Sequence, residues 1–195
     1  MKRVIDIAVA AVGLFLSAPL LVVAFAAIRL DSRGPVVFRQ ERIGRDGVPF
    51  EILKLRTMTH AASGASVTAG QDPRITRVGR WLRSTKLDEL PQFINVLRGE
   101  MSLVGPRPEL AKYVALWPVD ARREILGLRP GITDPGSIAF RREAELLASA
   151  ADPEAYYVDV ILPQKVALYL EYARTRTLAG DLKVLGDTIS TVARG

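Results

Sequence analysis

The chain has 195 residues, 49% hydrophobic and 25% charged, with 27 Lys and Arg against 21 Asp and Glu for a formal net charge of +6. That fits one domain of ordinary size, and the basic balance favours an anionic partner: nucleic acid, an anionic membrane leaflet or a phosphorylated substrate. There is no cysteine and His60 is the only histidine; disulfides and thiolate metal sites are excluded, and a His-based zinc site or a Ser-His-Asp triad is all but ruled out, leaving carboxylates, Lys/Arg or a hard metal for any catalysis.

The first element is apolar. Residues 7–28 carry no charge over 22 positions, long enough for a transmembrane helix. Pro19 sits near the middle, where it removes a backbone hydrogen bond and clashes with the preceding turn. A helix over residues 7–18 would extend only about 18 Å against a hydrocarbon core of about 30 Å. Both flanks are basic, Lys2 and Arg3 before the run and Arg29 and Arg33 after it, which favours keeping both ends on the cytoplasmic side. A re-entrant helix-break-helix over residues 1–30, bent near Ser17-Ala18-Pro19, satisfies both features, with Ser17 placed to bond a carbonyl freed by the proline. A plain bitopic helix and a signal peptide stay open as alternatives.

Residues 36–43 and 48–55 read as two strands joined by Arg45-Asp46-Gly47, since Asp-Gly tolerates positive φ. Residues 59–72 are small and polar and read as a surface loop or a lid. Arg74, Arg77, Arg80 and Arg83 recur every third residue against Ile75, Val78, Trp81 and Leu82, the pattern of a basic amphipathic helix with Trp81 suited to a membrane interface. A helix over 88–97 closes at Arg98-Gly99. Further helices are expected over 109–117, 120–126, 143–150, 153–174 with a break at Pro163, and 178–192. The fold class is mainly α with a small β-hairpin (α+β). Amphipathic interfacial helices surround one compact catalytic domain over 31–195. No nucleic-acid motif is present, so the apolar start moves the expected partner to membrane plus phosphate.

Asp88 and Glu89 form an adjacent carboxylate pair at a helix start. The bland reading is structural: Thr85-Lys86-Leu87-Asp88 fits a capping box, and an acid in a first helical turn suits the helix dipole. The functional reading uses the same geometry, because neighbouring helical residues point about 100° apart. One acid is then free to act on a substrate atom while the other holds a metal.

Read together, Lys2-Arg3 with Asp6, Pro19 in the apolar run, residues 38–44 and 54–58, Leu87-Asp88-Glu89-Leu90-Pro91-Gln92, Asn95 to Ser102, Val104-Gly105-Pro106-Arg107-Pro108 and Arg129-Pro130-Gly131-Ile132-Thr133 resemble the bacterial sugar transferases, the monotopic polyprenyl-phosphate phosphoglycosyl transferases. The resemblance implies an enzyme on the cytoplasmic face of the bacterial inner membrane. Its donor is a UDP-sugar and its acceptor polyprenyl (undecaprenyl) phosphate, and the products are polyprenyl-diphospho-sugar and UMP. It implies ping-pong chemistry with Asp88 as nucleophile and Glu89 as the acid associated with Mg²⁺. Arg83, Arg107 and Arg129 are the leading candidates for phosphate contacts, followed by Lys54 and Arg56, because a guanidinium forks phosphate bidentately. Ala18 stands where many members carry Ser, and the 134–142 loop departs from the common pattern, so no nucleotide contact is assigned there. A non-catalytic basic scaffold on anionic lipid is the competing function, and a homo-oligomer is left open.

Overall fold

The computed structural model describes residues 1–59, 70 and 72–193. Most of the loop expected over 59–72, residues 60–69 and 71, therefore lies outside the described residues.

Helix α1 (Lys2–Asp31) takes up the whole apolar run. It stays helical through Ser17-Ala18-Pro19, so the expected break does not interrupt it. The proline's missing N–H frees the carbonyl of Phe15, yet Ser17 Oγ donates to the neighbouring Leu14 carbonyl at 3.2 Å. One face of α1 is covered by protein, with Asp6, Ala10, Ala24 and Ile28 buried, while Phe15, Leu16 and Val22 on other faces are exposed. The helix is long and apolar enough to cross a membrane.

Strands β1 (Val37–Ile43) and β2 (Pro49–Leu55) pair antiparallel from Val37 opposite Leu55 to Ile43 opposite Pro49. Their turn carries Asp46 at φ 58 and Gly47 at φ 78, the left-handed pair that Asp-Gly supplies cheaply. Helix α2 (Arg77–Ser84) starts later than residue 74 because Thr76 caps it, its Oγ1 accepting from Gly79 N at 3.0 Å, while Arg74 is tied to Asp72 at 2.6 Å. A 3-10 turn (Leu87–Glu89) leads into helix α3 (Gln92–Arg98), which ends at Gly99 with φ 87. The capping box expected at Thr85 does not form. Lys86 takes a left-handed φ of 58, and Thr85 Oγ1 donates back to Trp81 O at 2.9 Å.

Strand β3 (Ser102–Val104), helix α4 (Ala111–Val114), helix α5 (Val119–Leu126) and strand β4 (Gly131–Thr133) follow. β3 and β4 pair in parallel, a second small sheet that the sequence patterns did not reveal. α4 is much shorter than the helix expected over 109–117. Helices α6 (Pro135–Ala139), α7 (Glu143–Ala148), α8 (Pro153–Tyr156), α9 (Leu162–Thr175) and α10 (Leu178–Ala193) complete the chain. The break expected at Pro163 becomes a single π-turn (Tyr157–Ile161) between α8 and α9. Pro163 then falls in the first turn of α9, where its missing N–H costs little.

The largest core cluster packs Trp117, Ile125, Leu147, Tyr157, Ile161 and Tyr169 together. Two smaller ones are shared with α1: Ala10 with Ile52, Val96 and Met101, and Ala24 and Ile28 with Leu55 and Leu82. Asn95, wholly buried, stitches α3 to β2, accepting from Leu53 N at 3.1 Å and donating to Glu51 O at 2.8 Å. That bond pair brings the end of β2 beside the 3-10 turn.

Candidate active site

Three chain segments converge at that point. The 3-10 turn supplies Asp88 and Glu89, β2 supplies Lys54, and the turn after β3 supplies Arg107. Lys54 Nζ donates to Glu89 Oε1 at 2.8 Å, and Arg107 Nη2 donates to the same oxygen at 3.1 Å. The Glu89 side chain is 12% exposed. Burial alone would push its carboxyl up, but Lys54, Arg107 and Lys86 more than offset this and hold it well below the usual carboxylate range. Glu89 in turn is the main reason the Arg107 guanidinium is pushed up, with Asp134 adding to it. Burial pulls the Lys54 ammonium down, partly countered by Glu89.

Asp88 is buried too, at 7% exposure, but its environment differs. Burial pushes its carboxyl up, Lys54 pulls it down, and the neighbouring Glu89 charge pushes it up again, with a net rise. Among the described residues its Oδ1 has no hydrogen-bond partner. Arg83, in the last turn of α2, also acts on Asp88 electrostatically, and its own Nη1 is buried without a partner there. Gln92 is 1% exposed, and its Nε2 is likewise unpartnered. It follows Asp88 by four residues, at the start of α3. Three of the seven unpartnered buried side-chain atoms among the described residues thus fall within residues 83–92. A buried donor or acceptor without a partner costs about 1–3 kcal/mol. Such a concentration of unmet polar groups is unusual in a folded chain and calls for an explanation.

The Arg107 turn is held rigidly. Gly105 N donates to Thr133 O at 3.1 Å and Gly131 N to Pro106 O at 2.9 Å. A Cβ at Gly105 would meet the Arg129 carbonyl at 2.4 Å, so the two backbones approach only because no side chain intervenes. Behind this turn, Arg42 lies 3.5 Å from Glu109 Oε2, and Tyr157 donates to Glu109 Oε1 at 2.9 Å.

The other expected phosphate contacts lie elsewhere. Arg56 is 4% exposed, and its guanidinium serves the end of α1, donating to the carbonyls of Pro35 at 2.5 Å, Ser32 at 2.6 Å and Ile28 at 3.2 Å. Only Ile28 belongs to the last turn of α1, and its carbonyl also accepts from Ser32 N at 3.1 Å, so Arg56 fastens the helix end to the link that follows it. Arg129 donates through Nε to Gly99 O at 2.8 Å and lines a separate cavity beside the start of α1. Ser17 and Pro19 sit within α1, apart from the ion cluster. Gln92, to which sequence reasoning gave no role, is instead buried close by in the chain with its Nε2 unpartnered among the described residues.

Asp88 and Glu89 do not make a closed metal cage, and no group of three or more His, Cys, Asp or Glu converges among the described residues. Two adjacent carboxylates are as many as a protein commonly gives Mg²⁺ when other oxygens complete its shell. Apart from the cluster's own residues, α1 and α2 frame a mainly apolar groove of about 530 Å³ lined by Leu20, Val23, Ala27, Leu30, Val78 and Trp81, with Asp31 and Arg77 also in its lining.

The family model described as bacterial sugar transferase matches residues 1–195. Relatives include a UDP-glucose:undecaprenyl-phosphate glucose-1-phosphate transferase of Caulobacter vibrioides, 42% identical over 98% of this chain and 69% of its own length. A protein of the same name from Escherichia coli is 38% identical over 97% of this chain but only 39% of its own length. The exopolysaccharide production protein ExoY of Rhizobium meliloti is 33% identical over 98% of this chain and 84% of its own length.

Proposed function

The chain belongs to the bacterial sugar transferase family, and on that premise we propose that it transfers a sugar-1-phosphate from a UDP-sugar to polyprenyl phosphate, with Asp88 as the nucleophile. The observation that carries the reading is the pairing of opposites at residues 83–92. An ion cluster already neutralises Glu89, while beside it Asp88 Oδ1, Arg83 Nη1 and Gln92 Nε2 are buried without partners among the described residues.

In the first half-reaction an Asp88 carboxylate oxygen attacks the sugar-bearing phosphorus. The new O–P bond forms as the bond to the UMP oxygen breaks, and UMP leaves with the electron pair. In the second, a phosphate oxygen of the polyprenyl acceptor attacks the same phosphorus, and Asp88 departs as a carboxylate. A covalent intermediate lets a water-soluble and a lipid substrate use one small site in turn. The raised pKa of Asp88 makes its ionised oxygen a stronger base and hence a better nucleophile than an exposed carboxylate. In this reading Arg107 and Arg83 stabilise charge on the transferring group, and Gln92 Nε2 adds a neutral donor. Lys54 and Arg107 hold Glu89 ionised and oriented. Mg²⁺, when bound with the diphosphate through Glu89, would supply further charge neutralisation.

The mainly apolar lining of the groove between α1 and α2 suits the acceptor's polyprenyl tail. Membrane association rests on α1, and the attachments of its two ends support docking of both to the same body. At one end Lys2 pairs with Asp181 at 2.5 Å and Asp6 accepts from Ser102 at 2.8 Å. At the other Asp31 accepts from Val78 N at 3.0 Å, and Arg56 holds the Ile28 and Ser32 carbonyls. Attachment of both ends to one body supports a location on one side of the bilayer, and the basic flanks of α1 favour the cytoplasmic face.

Incubation with UDP-glucose alone tests the mechanism. The expected result is a single stoichiometric burst of UMP and a phosphohexose mass gain on the peptide carrying Asp88. Release of UMP only after polyprenyl phosphate is added, with no adduct, would replace this scheme by direct transfer.

A further inference from the structure

A second cavity, of about 290 Å³, opens beside the start of α1 and shares no lining residue with the Asp88 cluster. Five cationic side chains line it: Lys2, Arg3, Arg45, Arg129 and Arg176. They come from four distant parts of the chain, namely the first turn of α1, the tip of the β1–β2 hairpin, the segment before β4 and the link between α9 and α10. Among the described residues Asp6 is the only acid in the lining, and its carboxylate is turned to protein, accepting from Ser102 Oγ at 2.8 Å and Leu103 N at 3.3 Å.

Two of the cations are fixed in place. Arg3 donates to Val96 O at 2.7 Å and Met101 O at 3.3 Å, and Arg129 Nε donates to Gly99 O at 2.8 Å. Both are thus pinned on the carbonyls that end α3, which orients them without neutralising their charge. Lys2 is neutralised by Asp181 at 2.5 Å. Arg45 pairs with its exposed neighbour Asp46 at 3.3 Å, a contact of the kind that solvent screens to little effect. Crowding these charges around one concavity is unfavourable unless an anion enters it.

We propose that this cavity binds a phosphoryl group, as a second anion site separate from the reacting centre. Arginine forks match phosphate oxygens, and two pre-positioned guanidiniums reduce the ordering cost of binding. The phosphoryl group has two available sources, an anionic phospholipid headgroup at the surface where α1 begins, or a free phosphate in solution. The site stands independently of the transfer chemistry, since its readout is binding.

Calorimetric titration of the full chain in non-ionic detergent micelles tests this, with dioctanoyl phosphatidylglycerol in one arm and inorganic phosphate in the other. Removing Arg45 and Arg176 together (R45Q/R176Q) should weaken at least one probe about tenfold or more. The equal-charge control R80Q/R123Q, at exposed positions outside the cavity, should change neither more than about twofold, and R45K/R176K should retain most of the affinity. Weakening confined to the lipid arm identifies a headgroup site, whereas weakening of inorganic phosphate identifies a free phosphoryl site. Equal weakening by cavity and control pairs, or no saturable binding of either probe to the unmodified chain, would overturn the proposal. Should R45Q/R176Q fail to fold, the single variant R176Q replaces it: weakened binding supports the site, and unchanged binding of both probes overturns it.

Discussion

Two buried aspartates, Asp6 and Asp88, occupy similarly dry places and have opposite surroundings. Asp6, 4% exposed, receives Ser102 Oγ and Leu103 N and so ties α1 to β3. Asp88, 7% exposed, keeps Oδ1 unpartnered among the described residues, beside a second carboxylate and a set of cations. The contrast separates an acid that the fold uses from an acid that the fold accommodates. Deleting the first should cost stability, and deleting the second should cost activity.

The largest effect expected is on turnover. Asp88→Asn should lower UMP release by roughly a thousandfold or more, while its thermal stability at neutral pH should exceed that of the parent. The sign follows from the raised pKa. The Asp88 carboxyl contributes stability that is fully present below the ordinary aspartate pKa and lost as pH rises through its raised folded value. The gain in Tm from Asn should therefore be present at neutral pH and vanish in acid. A variant less stable than the parent at pH 7 would show that Asp88 is a structural acid after all. An intermediate effect is expected at the other aspartate. Asp6→Ala strands the Leu103 N–H and the Ser102 hydroxyl, and should destabilise by about 1–3 kcal/mol in denaturant unfolding. Unchanged stability there would erase the contrast. Smallest of all is Ser17→Ala, since Ser17 bonds a carbonyl already within the helical ladder. Its stability should stay within about 0.5 kcal/mol of the parent, and a larger loss would restore the serine as a support for the proline.

What was legible from sequence is local. The hairpin turn could be read because Asp46-Gly47 sets its own backbone angles, and α2 because Arg and apolar positions alternate with helical period. The acid pair was visible for the same reason, its members being adjacent. Parallel pairing of β3 with β4 was not legible, since each strand is three residues long and their register is set by contacts across the Gly105–Gly131 approach. Lys54 and Arg56 illustrate the limit. The two basic residues stand two positions apart at the end of one strand, yet one reaches Glu89 and the other the Ile28 and Ser32 carbonyls. Only the docking of α1 on the hairpin decides between these fates. Gln92 escaped notice because burial of its amide, the property that marks it, depends on packing that no local pattern encodes.

The way α1 is built into the protein means that this membrane element is no removable tether. Cutting the chain after residue 31 would bare Ile52, Leu55, Leu82, Val96 and Met101 to water and take the Ile28 carbonyl from Arg56. A detergent-free version of this protein is thus better sought by recolouring the outward face of α1, at positions such as Phe15, Leu16 and Val22, than by truncation.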